Sequence, residues 1–458
     1  MKEYLDFLAC PLPEDIRRLV DYGDFDRAER LIALRIADPR VTELMKKRLK
    51  FQHLMNRDLK TAYPYTPEDA LLRLQAKVRD IGFEEMESLR DDGTLDWIYV
   101  DGQVRYKDDC VASLIKTRPD MNNRILDEAA LQAKAENSQA LDGIIKRMKE
   151  KGGMRLRYRM RITLTPKEGA LRPGEILRVH LPLPVRTAQS LPLGAVLTEP
   201  TAKHVAPDTH PQRTAYFEEV YTPGTCFSAE FEYEIDARYA SPDPHKAVAG
   251  QPSFDTTELL PQIALTPFIR LLAEELAGEE TNPLIIARAF YDHITKNAVY
   301  RYVRAYRSVA SIPEYFGTGL RGDCGMHALL FIALCRAKGI PAQWQAGWFA
   351  RPGHLYSHDW ARFYVAPYGW LYADGSFGGS AFREGHLDRW NFYFGNLEPW
   401  RMVANSDFQQ AFDPPRRHPR NDPYDNQSGE AETENRALQD DEYTTRRECL
   451  YWEELPLD

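Results

Sequence analysis

One cysteine in this chain stands where a nucleophile could work. Residues 321–327 read R-G-D-C-G-M-H and run directly into A-L-L-F-I-A-L-C-R-A-K-G-I-P. From Ala328 to Cys335 the residues are apolar around most of the helical circumference, and Gly339 with Pro341 closes the element. Cys324 is therefore expected at the N-terminus of a buried helix. Unpaired amide N–H groups and the positive dipole end would stabilise a thiolate there, and the same amides would hold an oxyanion on a bound acyl group. Gly322 and Gly325 would leave room for a substrate backbone. A cysteine in a glycine turn is by itself more often a small structural residue, so a base and a group to orient it are required.

Both lie downstream. H-D-W-A-R-F-Y-V (358–365) alternates as a strand with His358 at its start, A-P-Y-G-W turns, and W-L-Y-A-D-G (370–375) returns to Asp374. An antiparallel hairpin brings such ends together. A turn centred on Tyr368 would set His358 opposite Gly378, so an asymmetric turn or a bulge is expected to bring Asp374 level with it.

G-D-C-G with A-L-L-F-I-A-L-C-R-A-K-G-I-P-A, a G-W strand, H-D-W-A-R-F-Y-V-A-P-Y-G-W and Y-A-D together resemble the core of the transglutaminase-like superfamily over about residues 280–380. The resemblance implies a papain-like architecture with Cys324 as nucleophile, His358 as base and acid, and Asp374 orienting His358. It also implies an upstream aromatic or amide side chain at the oxyanion, for which Tyr300 and Tyr302 in N-A-V-Y-R-Y both qualify. The implied chemistry is thiol-dependent acyl transfer on amide bonds through a Cys-His-Asp triad. Hydrolysis by a cysteine peptidase or amidase is favoured, because a cross-linker must exclude water and admit a lysine, and no residue here marks that ability. The alternatives are a protein-glutamine gamma-glutamyltransferase (cross-linking or deamidation) and a non-catalytic binding or scaffold module on the same fold, which would have no use for an intact triad. The expected substrate is a protein or peptide, glycopeptides included, and no cofactor is expected.

Other residue types near this constellation have plainer readings. Cys335 lies three turns along the same helix and is expected in the core; His327, one turn from Cys324, is expected as a polar first-turn residue. Arg321 and Asp323 could tune the thiol, bind substrate or pair with each other. His354 and His358, with Asp359 and His386, suggest zinc, but H-x-x-x-H gathers ligands only on a helix, and Pro352, Gly353 and the strand alternation argue against one. Six tryptophans (344, 348, 360, 370, 390 and 400) are expected to divide between core packing and a groove.

The elements that must position these residues fall into an α+β arrangement. Residues 1 to 150 read as helical, with T-P-E-D at Thr66–Asp69 starting one helix and D-W-I-Y-V-D-G-Q-V-R-Y (96–106) forming a hairpin. Residues 151–245 switch to period two. Arginines 155, 157, 159 and 161 alternate with apolar residues on one strand, and acids 230, 232, 234 and 236 do so on another, so the two faces are expected to pair within an antiparallel β-sandwich. Residues 255–400 form the catalytic domain, and 401–458 an extension whose acidic tail is expected to be solvated or loosely docked, with Cys449–Trp452 a possible anchor.

Length and composition frame this. The 458 residues, 43% hydrophobic and 28% charged, suit a multidomain globular protein. The formal charge is -9, of which residues 430–458 carry -7, so the body shows no basic excess and nucleic acid is not an expected partner. No apolar run is long enough for a spanning helix, and a membrane partner is not expected. The start, with Glu3 and Asp6 and no apolar stretch before L-A-C at 8–10, makes a poor signal peptide. Six dispersed cysteines form neither a disulfide framework nor a metal pattern, so the expected location is cytoplasmic.

Overall fold

The computed structural model describes residues 6–422 and 424–457, and its architecture is α+β. Helices α1 (Glu14–Asp21), α2 (Phe25–Ala37), α3 (Glu43–Ala62), α4 (Pro67–Gln75) and α5 (Phe83–Asp91) precede a hairpin of β1 (Trp97–Val100) and β2 (Gln103–Tyr106). Thr66 and Asp69 close a reciprocal capping box at the start of α4. The hairpin turns at Asp101 and Gly102, both with positive φ (50° and 84°), the backbone that an Asp-Gly pair tolerates. Helices α6 (Cys110–Thr117) and α7 (Glu128–Lys151) lead into the β region.

Strands β3 (Gly153–Pro166), β4 (Ile176–Pro182), β5 (Ser190–Glu199), β6 (His204–Val205), β7 (Thr214–Val220) and β8 (Phe227–Arg238) follow. β3 and β8 pair antiparallel, with Arg157 opposite Glu234 and Arg161 opposite Glu230. Glu234 receives Arg155 and Arg157 at 2.6 Å each, and Glu230 receives Arg161 at 2.7 Å together with Arg159. The basic stripe is thus answered by the acidic one, while Leu156, Tyr158, Met160 and Ile162 fill the core on the other face.

Helices α8 (Pro267–Ala277) and α9 (Pro283–Asn297) start at the Thr266 and Asn282 caps. Then come β9 (Val299–Tyr300), α10 (Ile312–Gly319), β10 (Arg321–Gly322), α11 (Cys324–Ala337), β11 (Ala342–Arg351), β12 (His354–Val365) and β13 (Gly369–Ala373). The chain continues through α12 (Gly375–Arg383), α13 (Leu387–Phe392), β14 (Phe394–Gly395), β15 (Arg401–Asn405), β16 (Glu430–Glu432) and β17 (Tyr443–Leu455). The five-stranded order β14-β13-β12-β11-β15 makes the sheet against which α11 packs.

The acidic tail departs from expectation. It is built into the sandwich, whose two sheets run β16-β4-β7-β6 and β17-β3-β8-β5. β17 pairs with β3 from Tyr443↔Pro166 to Leu455↔Arg155, with one irregularity near Cys449. Its acids meet cations already in place: Glu453 meets Arg157 at 3.2 Å, and Glu454 meets Lys151 at 2.6 Å. Glu430 lies buried between Arg416 and Arg420. The negative charge of the tail is therefore partly matched by cations on β3, at the end of α7 and in the segment before β16.

Candidate active site

α11 places Cys324 at its first position, with Asp323 as the N-cap. Asp323 Oδ1 accepts both from Met326 N, at 3.2 Å, and from the Tyr306 hydroxyl. The helix behind is buried almost throughout, Cys335 included. His327 is buried too: its Nδ1 lies 2.7 Å from the Asp323 carbonyl, and its ring packs on Phe316 at 4.6 Å. It is thus a polar first-turn residue, as the sequence suggested, and a buried one.

The glycines around the thiol serve the protein's own packing. A Cβ at Gly325 would sit 2.2 Å from the Tyr306 hydroxyl and 3.0 Å from Asp359 Oδ2, and one at Gly322 would sit 2.7 Å from Phe316. The space expected for a substrate backbone is filled by side chains. Arg321 does not pair with Asp323; it donates to the Asp92 carbonyl at 2.9 Å and so ties the helical region to the loop before Cys324.

His358 lies in the middle of β12, opposite Gly347 on β11. Asp374 follows β13 directly and caps α12, accepting from Phe377 N at 2.9 Å. The two meet at 2.7 Å between His358 Nε2 and Asp374 Oδ2, with both side chains buried. No bulge is involved. The β12–β13 ladder is regular, running from Ala361↔Ala373 to Val365↔Gly369, so the turn centres on Pro367 and the contact spans a diagonal of the ladder. Because Asp374 takes Nε2, Nδ1 is the nitrogen left for proton exchange.

Arg401 on β15, fully buried, reaches Asp374 at 3.0 Å and Glu398 at 2.7 Å. Against the cost of burial, the charges of His358 and Arg401 hold the Asp374 carboxyl well below the usual range. Burial lowers the pKa of His358, and the pull of Asp374 only partly offsets it.

The Cys324 thiol itself meets a different acid. Sγ donates to Asp359 Oδ2 at 3.2 Å, and among the described residues it makes no hydrogen bond to His358. Burial pushes the thiol pKa up, with Asp359 and Asp323 adding to it and Lys116 opposing. The helix-mouth effect expected from the sequence is thus outweighed by desolvation and two acids. Burial and Asp323 also raise the Asp359 carboxyl. Gln427 donates to Asp359 Oδ1 and, at 3.1 Å, to the His358 carbonyl.

Both oxyanion candidates lie beside the loop. Tyr300 pairs with Gly322 in the short β9–β10 ladder, and its ring meets that of Tyr302 at 5.5 Å. His354 and His358 sit on one strand, while His386 lies 3.2 Å from Asp142. Trp344, Trp348 and Trp360 are core residues, and Trp390 and Trp400 are nearly so. Sequence reading missed Arg401, Glu398, Gln427 and Tyr306. They come from other strands or irregular segments, and no local pattern marks them.

Residues 270–375 match the family model of the transglutaminase-like superfamily. No curated protein matches the chain. Among solved structures, a proposed cysteine protease from Cytophaga hutchinsonii aligns at 16% identity and a TM-score of 0.42, covering 65% of this chain and 91% of that one. The periplasmic domain of TgpA from Pseudomonas aeruginosa aligns at 15% identity and a TM-score of 0.28, covering 54% of this chain and 96% of that one.

Proposed function

Because residues 270–375 carry a core of the transglutaminase-like superfamily, we propose that this chain is a cysteine-dependent enzyme that cleaves amide bonds, with Cys324 as nucleophile, His358 as base and acid, and Asp374 as the residue that orients His358. The observation that carries this reading is the buried His358–Asp374 pair, fixed through Nε2 and backed by Arg401. Such a pair sets the tautomer and supports the imidazolium that forms during reaction.

The chemistry starts from a neutral thiol and a neutral imidazole, since burial raises the one pKa and lowers the other. Substrate binding turns Sγ from Asp359 toward Nδ1 of His358. Nδ1 takes the thiol proton as Sγ attacks the amide carbon, and a C–S bond forms. The oxyanion meets the amides at the mouth of α11 and the phenol of Tyr300 or Tyr302. Collapse breaks the C–N bond, and His358 gives its proton to the leaving amine. Water, deprotonated by His358, then releases the acid and restores the thiol.

Cys324→Ala is expected to reduce peptide or amide turnover by at least about 10³-fold, with the melting temperature retained. Mass analysis of the released acyl group identifies the acceptor: a free acid means hydrolysis, and an amine conjugate means cross-linking. Wild-type activity in Cys324→Ala would sink the mechanism. The Cys324–Asp359 hydrogen bond favours a second reading, a binding module on the same fold, and unchanged cellular function of Cys324→Ala would select it. The substrate under the first reading is a protein or peptide, and the proposed location is cytoplasmic, in keeping with six unpaired cysteines.

A further inference from the structure

Lys116 comes from α6, in the helical region before the sandwich, yet it reaches the loop that carries Cys324. Its Nζ sits 3.5 Å from the centroid of the Tyr300 ring and 5.1 Å from that of Tyr302. The two rings meet edge to face and form a corner that holds the ammonium. Tyr300 is in turn registered on Gly322, two residues before Cys324. This placement is anchored: Ser113, one turn earlier on α6, accepts from Tyr302 N at 3.3 Å, and Arg301 meets Asp96 at 3.3 Å.

Lys116 forms no ion pair among the described residues, although carboxylates are near. Asp323 is occupied by Met326 N and Tyr306, Asp374 by His358 and Arg401, and Asp359 by Gln427 and the thiol. Lys116 is an exposed residue, although protein groups crowd its ammonium end. Crowding by protein lowers its pKa to about 8, against the pull of the Cys324 and Asp323 charges, so the ammonium stays largely protonated at neutral pH. A cation that forms no ion pair among the described residues, on an exposed residue within electrostatic reach of the proposed nucleophile, is a receptor for an anion. One ammonium without an arginine fork suits a single carboxylate better than a phosphate, which draws several donors.

We propose that Lys116, seated on Tyr300 and Tyr302, forms a carboxylate subsite of the active site, and that the enzyme prefers acyl donors bearing a carboxylate close to the scissile amide. This rests on the reading of Cys324 as nucleophile. It also gives the N-terminal helical region a direct part in choosing substrate.

Two alkylating reagents of similar size test it on the full-length protein: anionic iodoacetate and neutral iodoacetamide, with modification of Cys324 mapped by mass spectrometry. Taking the ratio of the two rates cancels any effect of Lys116 on the thiol pKa. Lys116→Met is expected to lower the iodoacetate-to-iodoacetamide ratio about tenfold, Lys116→Glu to lower it further, and Lys116→Arg to retain most of it. An unchanged ratio in Lys116→Met and Lys116→Glu, with melting temperatures equal to wild type, overturns the subsite alone. A Cys324 that reacts with neither reagent overturns the nucleophile reading and the subsite with it.

Discussion

Asp359 follows His358 in the chain and takes the hydrogen bond that the nucleophile reading would give to His358. An acid in this place raises the thiol pKa and must release the sulfur before attack. Asp359→Asn removes that charge, and the pH midpoint for iodoacetamide alkylation of Cys324 is expected to fall by about one unit, roughly 1.4 kcal/mol. A midpoint that does not move would show that Asp359 exerts no control on the thiol. The same substitution bears on stability. Burial raises the Asp359 carboxyl from 3.8 to about 7 in the folded chain. The folded state thus binds the proton more tightly than the unfolded one, so this contribution to stability is fully present below the ordinary carboxylate pKa and is lost as pH rises through the folded value. Asp359→Asn should therefore gain melting temperature over wild type at pH 8 and lose that advantage near pH 4. An equal difference at both pH values counts against it.

At the scale of elements, the site is a junction of a helix mouth, a hairpin and β15. Glu398 and Arg401 are buried without solvent, and Arg401 is the cation that both Glu398 and Asp374 face. Arg401→Met leaves two buried carboxylates uncompensated and is expected to cost about 3–5 kcal/mol. Adding Glu398→Gln should recover part of that loss in denaturant titration, and no recovery would show that Glu398 is not the stranded charge. The contrast with what the sequence conveyed is physical. The α11 pattern, the capping residues and the period-two strands are local, so the positions of Cys324, His358 and Asp374 could be read from periodicity and resemblance. The diagonal His358–Asp374 contact could not, because counting residues across a turn assumes that partners lie level. Arg401 and Gln427 escaped altogether: each reaches the site from a segment whose own sequence is unremarkable, and only the packing of β15 and the loop after it brings them in. The thiol pKa was misjudged for a related reason, since the dipole is visible in a sequence and desolvation is not.

Across the whole molecule, the end of the chain reaches back to β12, the strand that carries His358. Arg447 on β17 donates to Ser357 Oγ at 2.7 Å, one residue before His358, and to the Gln427 carbonyl at 3.0 Å. Trp348 donates to that same carbonyl at 2.7 Å, so Gln427 is fixed between the tail and the site. β17 also covers β3 from Arg155 to Pro166, which would otherwise be a long sheet edge of exposed N–H and C=O groups. Truncation before Tyr443 removes both functions. Each lost ladder hydrogen bond is worth about 0.5–1.5 kcal/mol, and the bared edge invites pairing between copies. The truncated chain is therefore expected to melt at lower temperature and to associate as concentration rises, as light scattering would record. Arg447→Met separates the two roles: the ladder stays, so the chain should remain monomeric by the same measurement, while loosening of Gln427 should slow turnover. If Arg447→Met turns over as wild type does and the truncated chain stays monodisperse with an unchanged melting temperature, β17 contributes nothing to either the sandwich or the site.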